Sequence, residues 1–229
     1  MSAGHQDGTA SASTSERSAP RGAPGATDAR PSLTAFGDAD VIQIPEGTPG
    51  ELSVVAVGED TSHGYLSVIV RNNTAEAVGS IEAAVEIHSD GEVIETTTSQ
   101  QFIPWVVEPG EIAFGRVGYS ENLAREDITY DLRLTPSVVI DAYRGVPSVE
   151  VNNVDVDITG TVKNTSQELM NGPIGLAVAC FDESGTFLGN KFSIADEEEL
   201  EPGATGSFKI TLLDLTCDNG LMSASGYHW

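Results

Sequence analysis

Residues 160–189 read GTVKNTSQELMNGPIGLAVACFDESGTFLG, and residues 69–94 read IVRNNTAEAVGSIEAAVEIHSDGEVI. Val162-Lys163-Asn164 matches Val70-Arg71-Asn72, and a polar turn follows in each: Thr165-Ser166-Gln167-Glu168 and Asn73-Thr74-Ala75-Glu76. Next comes an alternating segment, Leu176, Val178 and Cys180 against Ala83, Val85 and Ile87, and then a turn closing on Gly185 or Gly91. Further on, Glu201-Pro202-Gly203 leads to Phe208, and Glu108-Pro109-Gly110 leads to Phe114. Asn72 and Pro109 are 37 residues apart, Asn164 and Pro202 38. Several features kept in order at nearly constant spacing indicate two copies of one unit.

Each copy reads as antiparallel β. Apolar and polar residues alternate, so one strand face is expected to be buried and the other wet. In Ile81–His88 the odd positions face inward, while Glu82, Glu86 and His88 face outward. Turns rich in Asn, Asp, Ser and Gly at short intervals favour a sandwich. Asn72 and Asn164 stand at strand ends, where their side chains can bond backbone. Both also match the N-x-[ST] pattern, which the turn explains equally well.

The expected organisation is a tether over 1–40, a first sandwich over 41–135, a connector over 136–147 and a second sandwich over 148–229. Residues 2–32 are dominated by Ser, Ala, Gly, Thr and Pro, too poor in apolar surface to offset ordering entropy, so the tether is expected to be disordered. The connector, PSVVIDAYRGV over 136–146 with Pro147, is too apolar for a free linker. The copies are therefore expected to pack together. A single helical turn is expected over Ser120–Asp127.

The chain carries 35 acidic against 11 basic residues, a net charge of −24. Such a chain repels phosphate backbones and anionic membranes, which argues against nucleic acid partners. The lysines are Lys163, Lys191 and Lys209; acid excess with scarce lysine suits a high-salt habitat. A small-residue tether resembles the segment behind the lipidated cysteine of surface lipoproteins. Met1 is expected to stand where that cysteine would be, or downstream of the true start.

The second copy resembles the FxLYD domain, a short immunoglobulin-like sandwich of bacterial and archaeal surface proteins. The resemblance rests on Gly160-Thr161-Val162-Lys163-Asn164-Thr165, Cys180-Phe181-Asp182, the turn from Asp182 to Gly185, and Leu200-Glu201-Pro202-Gly203 leading to Phe208. The first copy is a weaker relative, with His88-Ser89 in place of the aromatic-Asp pair. The resemblance implies two tandem immunoglobulin-like sandwiches at the cell surface and brings no catalytic set.

Candidate chemistry is sparse. Cys180 and Cys217 are either a disulfide or two buried thiols; the disulfide is favoured and would contribute roughly 3–4 kcal/mol. His5, His63, His88 and His228 lie in unrelated contexts, so no metal site is expected on them. The run Asp196-Glu197-Glu198-Glu199-Leu200-Glu201, with Asp155 and Asp157, invites a calcium reading, but no D-x-D-x-D-G loop is present and solvated surface is preferred. No nucleophile elbow or phosphate loop occurs. Trp105, in Phe102–Val107, is a core residue by default and the candidate anchor for a partner if partly exposed. Trp229 either packs on its domain or frays.

These readings together predict a non-catalytic, extracytoplasmic binding or scaffolding protein, lipid-anchored or secreted, that needs no cofactor. Its partner is expected to be another envelope or extracellular protein, or a glycan, and it meets membrane only through the lipid. The rival reading is a calcium-dependent adhesion factor or an envelope-enzyme accessory with a carboxylate site.

Overall fold

The computed structural model describes residues 33–60, 64–120 and 128–228. The expected helical turn over Ser120–Asp127, and His5, His63 and Trp229, fall wholly or mainly outside these residues, as does the tether up to residue 32.

The described chain is all-β, built from antiparallel sheets. In the first half, β2 (Leu52–Asp60), β3 (Tyr65–Asn72), β8 (Ile112–Gly118) and β6 (Phe102–Ile103) form one sheet. A second sheet contains β5 (Glu92–Ser99), β4 (Val78–Ser89) and β7 (Val106–Val107), with β9 (Ile128–Ser137) also on β4. In the second half, β10 (Ser148–Val154), β11 (Asp157–Lys163) and β16 (Thr205–Thr211) repeat the β2-β3-β8 order. Likewise β14 (Phe187–Ile194), β13 (Gly175–Phe181) and β17 (Asn219–Ser225) repeat β5-β4-β9, and β12 (Met170–Asn171) with β15 (Glu199–Leu200) repeats the β4–β7 contact.

The asparagines show why both copies turn alike. Asn72 is fully buried; its Nδ2 donates to Glu76 O (2.9 Å) and Val107 O (2.8 Å), and its Oδ1 accepts from Thr74 N (3.0 Å) and Thr74 Oγ1 (2.7 Å). Asn164 is buried in the same way, donating to Glu168 O (2.7 Å) and Leu200 O (2.8 Å) and accepting from Ser166 N (3.0 Å) and Oγ (2.7 Å). The Pro-Gly turn closes each clamp: Gly110 N donates to Asn72 O, and Gly203 N to Asn164 O. Both glycines sit at positive φ, 85° and 80°, which a side chain would resist. Neither side-chain amide is available to a glycan, so the N-x-[ST] match is structural.

Each half has its own core. Leu66, Val68, Val70, Ala83, Val85 and Ile87 belong to the first; Ile158, Val162, Leu176, Val178 and Cys180 belong to the second. A third core joins the halves, and it revises three expectations. The face of β13 expected to be wet is buried: Ala177, Ala179 and Phe181 pack with Ile69, Ile112 and Phe114 of the first half. The apolar run over Gly175–Phe181 is therefore the mark of a strand covered on both faces. Phe114 and Phe208 are not equivalent, because Phe114 lies in this shared core and Phe208 in the second half's own. Equal backbone bonds, Asn72 N to Glu111 O and Asn164 N to Ala204 O, align Phe114 with Ser207 instead.

The tether, finally, cannot extend to residue 40. β1 (Thr34–Phe36) pairs with β17, with Thr34 opposite Met222 and Phe36 opposite Gly220. A Cβ at Gly220 would run into the Phe36 ring, so the missing side chain is what admits the ring. Asp38 N donates to Asn219 Oδ1 (2.6 Å), and Leu33, Ile42 and Ile44 pack on the shared core. Arg71 then holds the strap on the first half, donating to Pro45 O (3.2 Å) and Ile44 O (3.4 Å). The chain thus crosses the second half before it enters the first. The connector also differs slightly from expectation: β9 runs to Ser137, with the register shift in its pairing falling between Thr135 and Ser137, around Pro136.

N72A and N164A should each lower the unfolding free energy by about 2–4 kcal/mol, because truncation strands buried carbonyls. N164D should cost a similar amount, since a carboxylate cannot donate to Glu168 and Leu200. Urea unfolding followed by circular dichroism checks this; a loss under about 0.5 kcal/mol would show the clamp to be dispensable.

Candidate functional site

Trp105 is half-buried at the junction of the two halves. Its ring lies 4.3 Å from Tyr227 and 5.9 Å from Tyr143, and these tyrosines are 5.0 Å apart. Its backbone N donates to Ser225 Oγ (3.2 Å). Tyr143 comes from a 3-10 turn, Asp141–Tyr143, in the connector, and His228 N donates to Ala142 O in the same turn. Arg144 next to it ion-pairs with Glu108 and Asp141. The residue singled out as an anchor for a partner is thus engaged within its own chain. Burial, with the neighbouring Tyr143, raises the pKa of the Tyr227 hydroxyl.

Cys180 and Cys217 are joined in a disulfide. Cys180 is on the inner face of β13, and Cys217 lies just before β17. The bond ties the entry of β17 to its neighbouring strand. Nearby, Asp182 Oδ1 accepts from Ser184 N and Thr186 N, both 2.8 Å, and from Ser184 Oγ, 2.7 Å. These donors, Ser184 Oγ foremost, hold the Asp182 carboxyl below its ordinary pKa.

The acidic run of the second half does not gather into a cation site with Asp155 and Asp157. Asp196 accepts from Ser207 Oγ and Glu197 from Ser207 N, both 2.7 Å. Glu199 of β15 pairs with Asn171 of β12, and Leu200 is buried. Asp157 is paired with Lys209 at 2.6 Å.

Among the described residues, ligand-type side chains do converge on the outer face of the first half. Glu86 and His88 project from the same side of β4, and Asp131 stands directly opposite Glu86 on β9. Their ligand atoms all lie within 4.8 Å of one another. His88 Nε2 is 3.9 Å from the Glu86 carboxylate. The sequence places Glu86 and His88 on one outward face by their two-residue spacing, but Asp131 is legible only once the β4–β9 register is known. His88 thus stands beside two carboxylates, a neighbourhood that its place in the sequence does not reveal.

No protein-family model matches the chain, and no curated protein aligns with it.

Two outcomes follow. The bond from Lys209, with Thr211 contributing, lowers the Asp157 pKa below the ordinary 3.8. A depressed folded-state pKa contributes stability above the unfolded value that is lost as pH falls through the folded one. Carboxyl NMR should find Asp157 titrating below 3.8, and K209A should move it upward; an unchanged midpoint would refute the pairing. W105A should destabilise the chain by about 2–3 kcal/mol as the three-ring contact is lost. A loss near zero in urea unfolding would free this ring for a partner.

Proposed function

We propose that this chain is a non-catalytic binding or scaffolding protein of the cell surface, presenting two immunoglobulin-like sandwiches of the FxLYD kind on a lipid-anchored or secreted tether. One observation carries the binding role. β17 accepts β1 along its outer edge, whereas among the described residues no strand pairs with the corresponding edge of β9. An open edge recognises an extended segment through main-chain hydrogen bonds. Asp131 and Arg133 project from β9 and Pro136 stands near its end, devices that discourage indiscriminate pairing while leaving room for a matched partner.

Several features support the setting. A disulfide suits an oxidising compartment. The acidic surface suits solubility in a crowded, salty exterior. The shared core, the strap and the junction rings support a rigid presenter rather than two beads on a string.

The test uses the full chain, immobilised and exposed to solubilised envelope of the source organism. One dominant protein or glycan should be retained, and it should slow amide exchange along β9. Retention with exchange altered only elsewhere would refute the edge mechanism. Failure of a membrane-impermeant amine reagent to label Lys163 or Lys209 on intact cells, with labelling after lysis, would refute the surface location.

A further inference from the structure

The copies stack front to back. Pairing of Glu86 with Asp131 and of Ala179 with Leu221 places these residues at equivalent positions of the two halves. His88 is likewise the equivalent of Phe181, each following the register shift in its hairpin. In the second half, Ala179, Phe181 and Leu221 fill the shared core. In the first, the same positions carry Glu86, His88 and Asp131 and face outward.

A terminal face needs polarity to stop further stacking, but polarity alone does not explain this set. Two carboxylates directly opposite across antiparallel strands repel one another and cost stability. Lysine at either position would cap the face better. What the pair gains from its arrangement is convergence: two carboxylates and one imidazole with all ligand atoms within 4.8 Å. Strand geometry supplies it, since i and i+2 residues leave the same face and the cross-strand partner completes a triangle. Glu86 and His88 are sheltered, their side chains 38 and 26 % exposed, while Asp131 is exposed.

We propose that Glu86, His88 and Asp131 form a three-ligand site for a divalent first-row transition ion of the zinc type. The cation removes the repulsion between the carboxylates, and the imidazole selects zinc-like ions over calcium and magnesium, which prefer all-oxygen shells. Three protein ligands leave a coordination position for water or an incoming ligand. On the same face, Arg133 lies opposite Ala84, and Glu82 opposite Thr135. Arg133, two residues from Asp131 along β9, leaves the same face, and Glu82 adds a further carboxylate to it. Val93 and Ile94 border His88 from β5 and are partly exposed. Asp131 lies on β9, but the ion is held by side chains on the sheet face and needs no partner on the β9 edge.

Calorimetric titration of the full chain with Zn²⁺ at neutral pH should show one defined site above the diffuse weak binding of surface acids. H88A should weaken it at least about tenfold, and D131N comparably, because losing a ligand costs no less than losing an outer-shell support. An H5A/H63A variant should bind as the parent does, and excess Ca²⁺ or Mg²⁺ should not compete. In the unsubstituted chain, Zn²⁺ should shift the His88 imidazole nitrogen resonances. Undiminished affinity in H88A, equal competition by Ca²⁺, or an unmoved His88 signal would each overturn the site.

Discussion

The structure depends on burying both faces of two sheets at once. β3 and β8 give Leu66, Val68, Val70, Ala113 and Val117 to the first core and Ile69, Ile112 and Phe114 to the shared one. β13 divides its residues by the same parity. Because consecutive side chains leave opposite faces, each strand holds its own sandwich together and glues the two halves. Burial on this scale is non-directional, so direction comes from polar contacts. Buried Asn190 on β14 donates from Nδ2 to Val68 O and Gly115 O, both 2.9 Å, and its backbone N donates to Ser67 Oγ (3.0 Å). A shift of either half would leave these groups buried without partners, which costs far more than the bonds are worth when made.

A stack of like units must also end. At Ile69 and Phe114 the second half has Thr161 and Ser207, and at Ala179 and Phe181 the first half has Glu86 and His88. Each terminal face has thus exchanged apolar docking residues for polar ones, the logic by which repeat arrays are capped. The junction is heterologous, with the back of one copy on the front of the next, so without such caps the same contact would propagate. The strap contributes a different closure, covering the β17 edge with a strand too short to stand alone.

Much of this was legible in the sequence, for identifiable reasons. Alternation in Ile81–His88, the paired asparagines and the paired Pro-Gly turns are local signals, and local geometry alone fixes what they do. The antiparallel β class, the inward parity of β4 and the pairing of Cys180 with Cys217 follow from them. The shared core was not legible, because alternation says which residues share a face and not what covers it. The apolar run over Gly175–Phe181 carries that information, because a strand wet on one face would have polar residues at Ala177 and Ala179. β1 is three residues long, below what periodicity can detect. Trp105 stood out by its chemistry, but its ring partners come from a connector turn and the last strand's end. Asp131 joins Glu86 and His88 only through a register that no spacing within β4 encodes.

The central claim is that the two halves form one cooperative body. Scanning calorimetry of the full chain, comparing the van't Hoff with the measured unfolding enthalpy, tests it most directly. The account predicts a single transition in which the two enthalpies agree. Two resolved transitions, or a van't Hoff enthalpy near half the measured one, would show two independent domains in contact and contradict it.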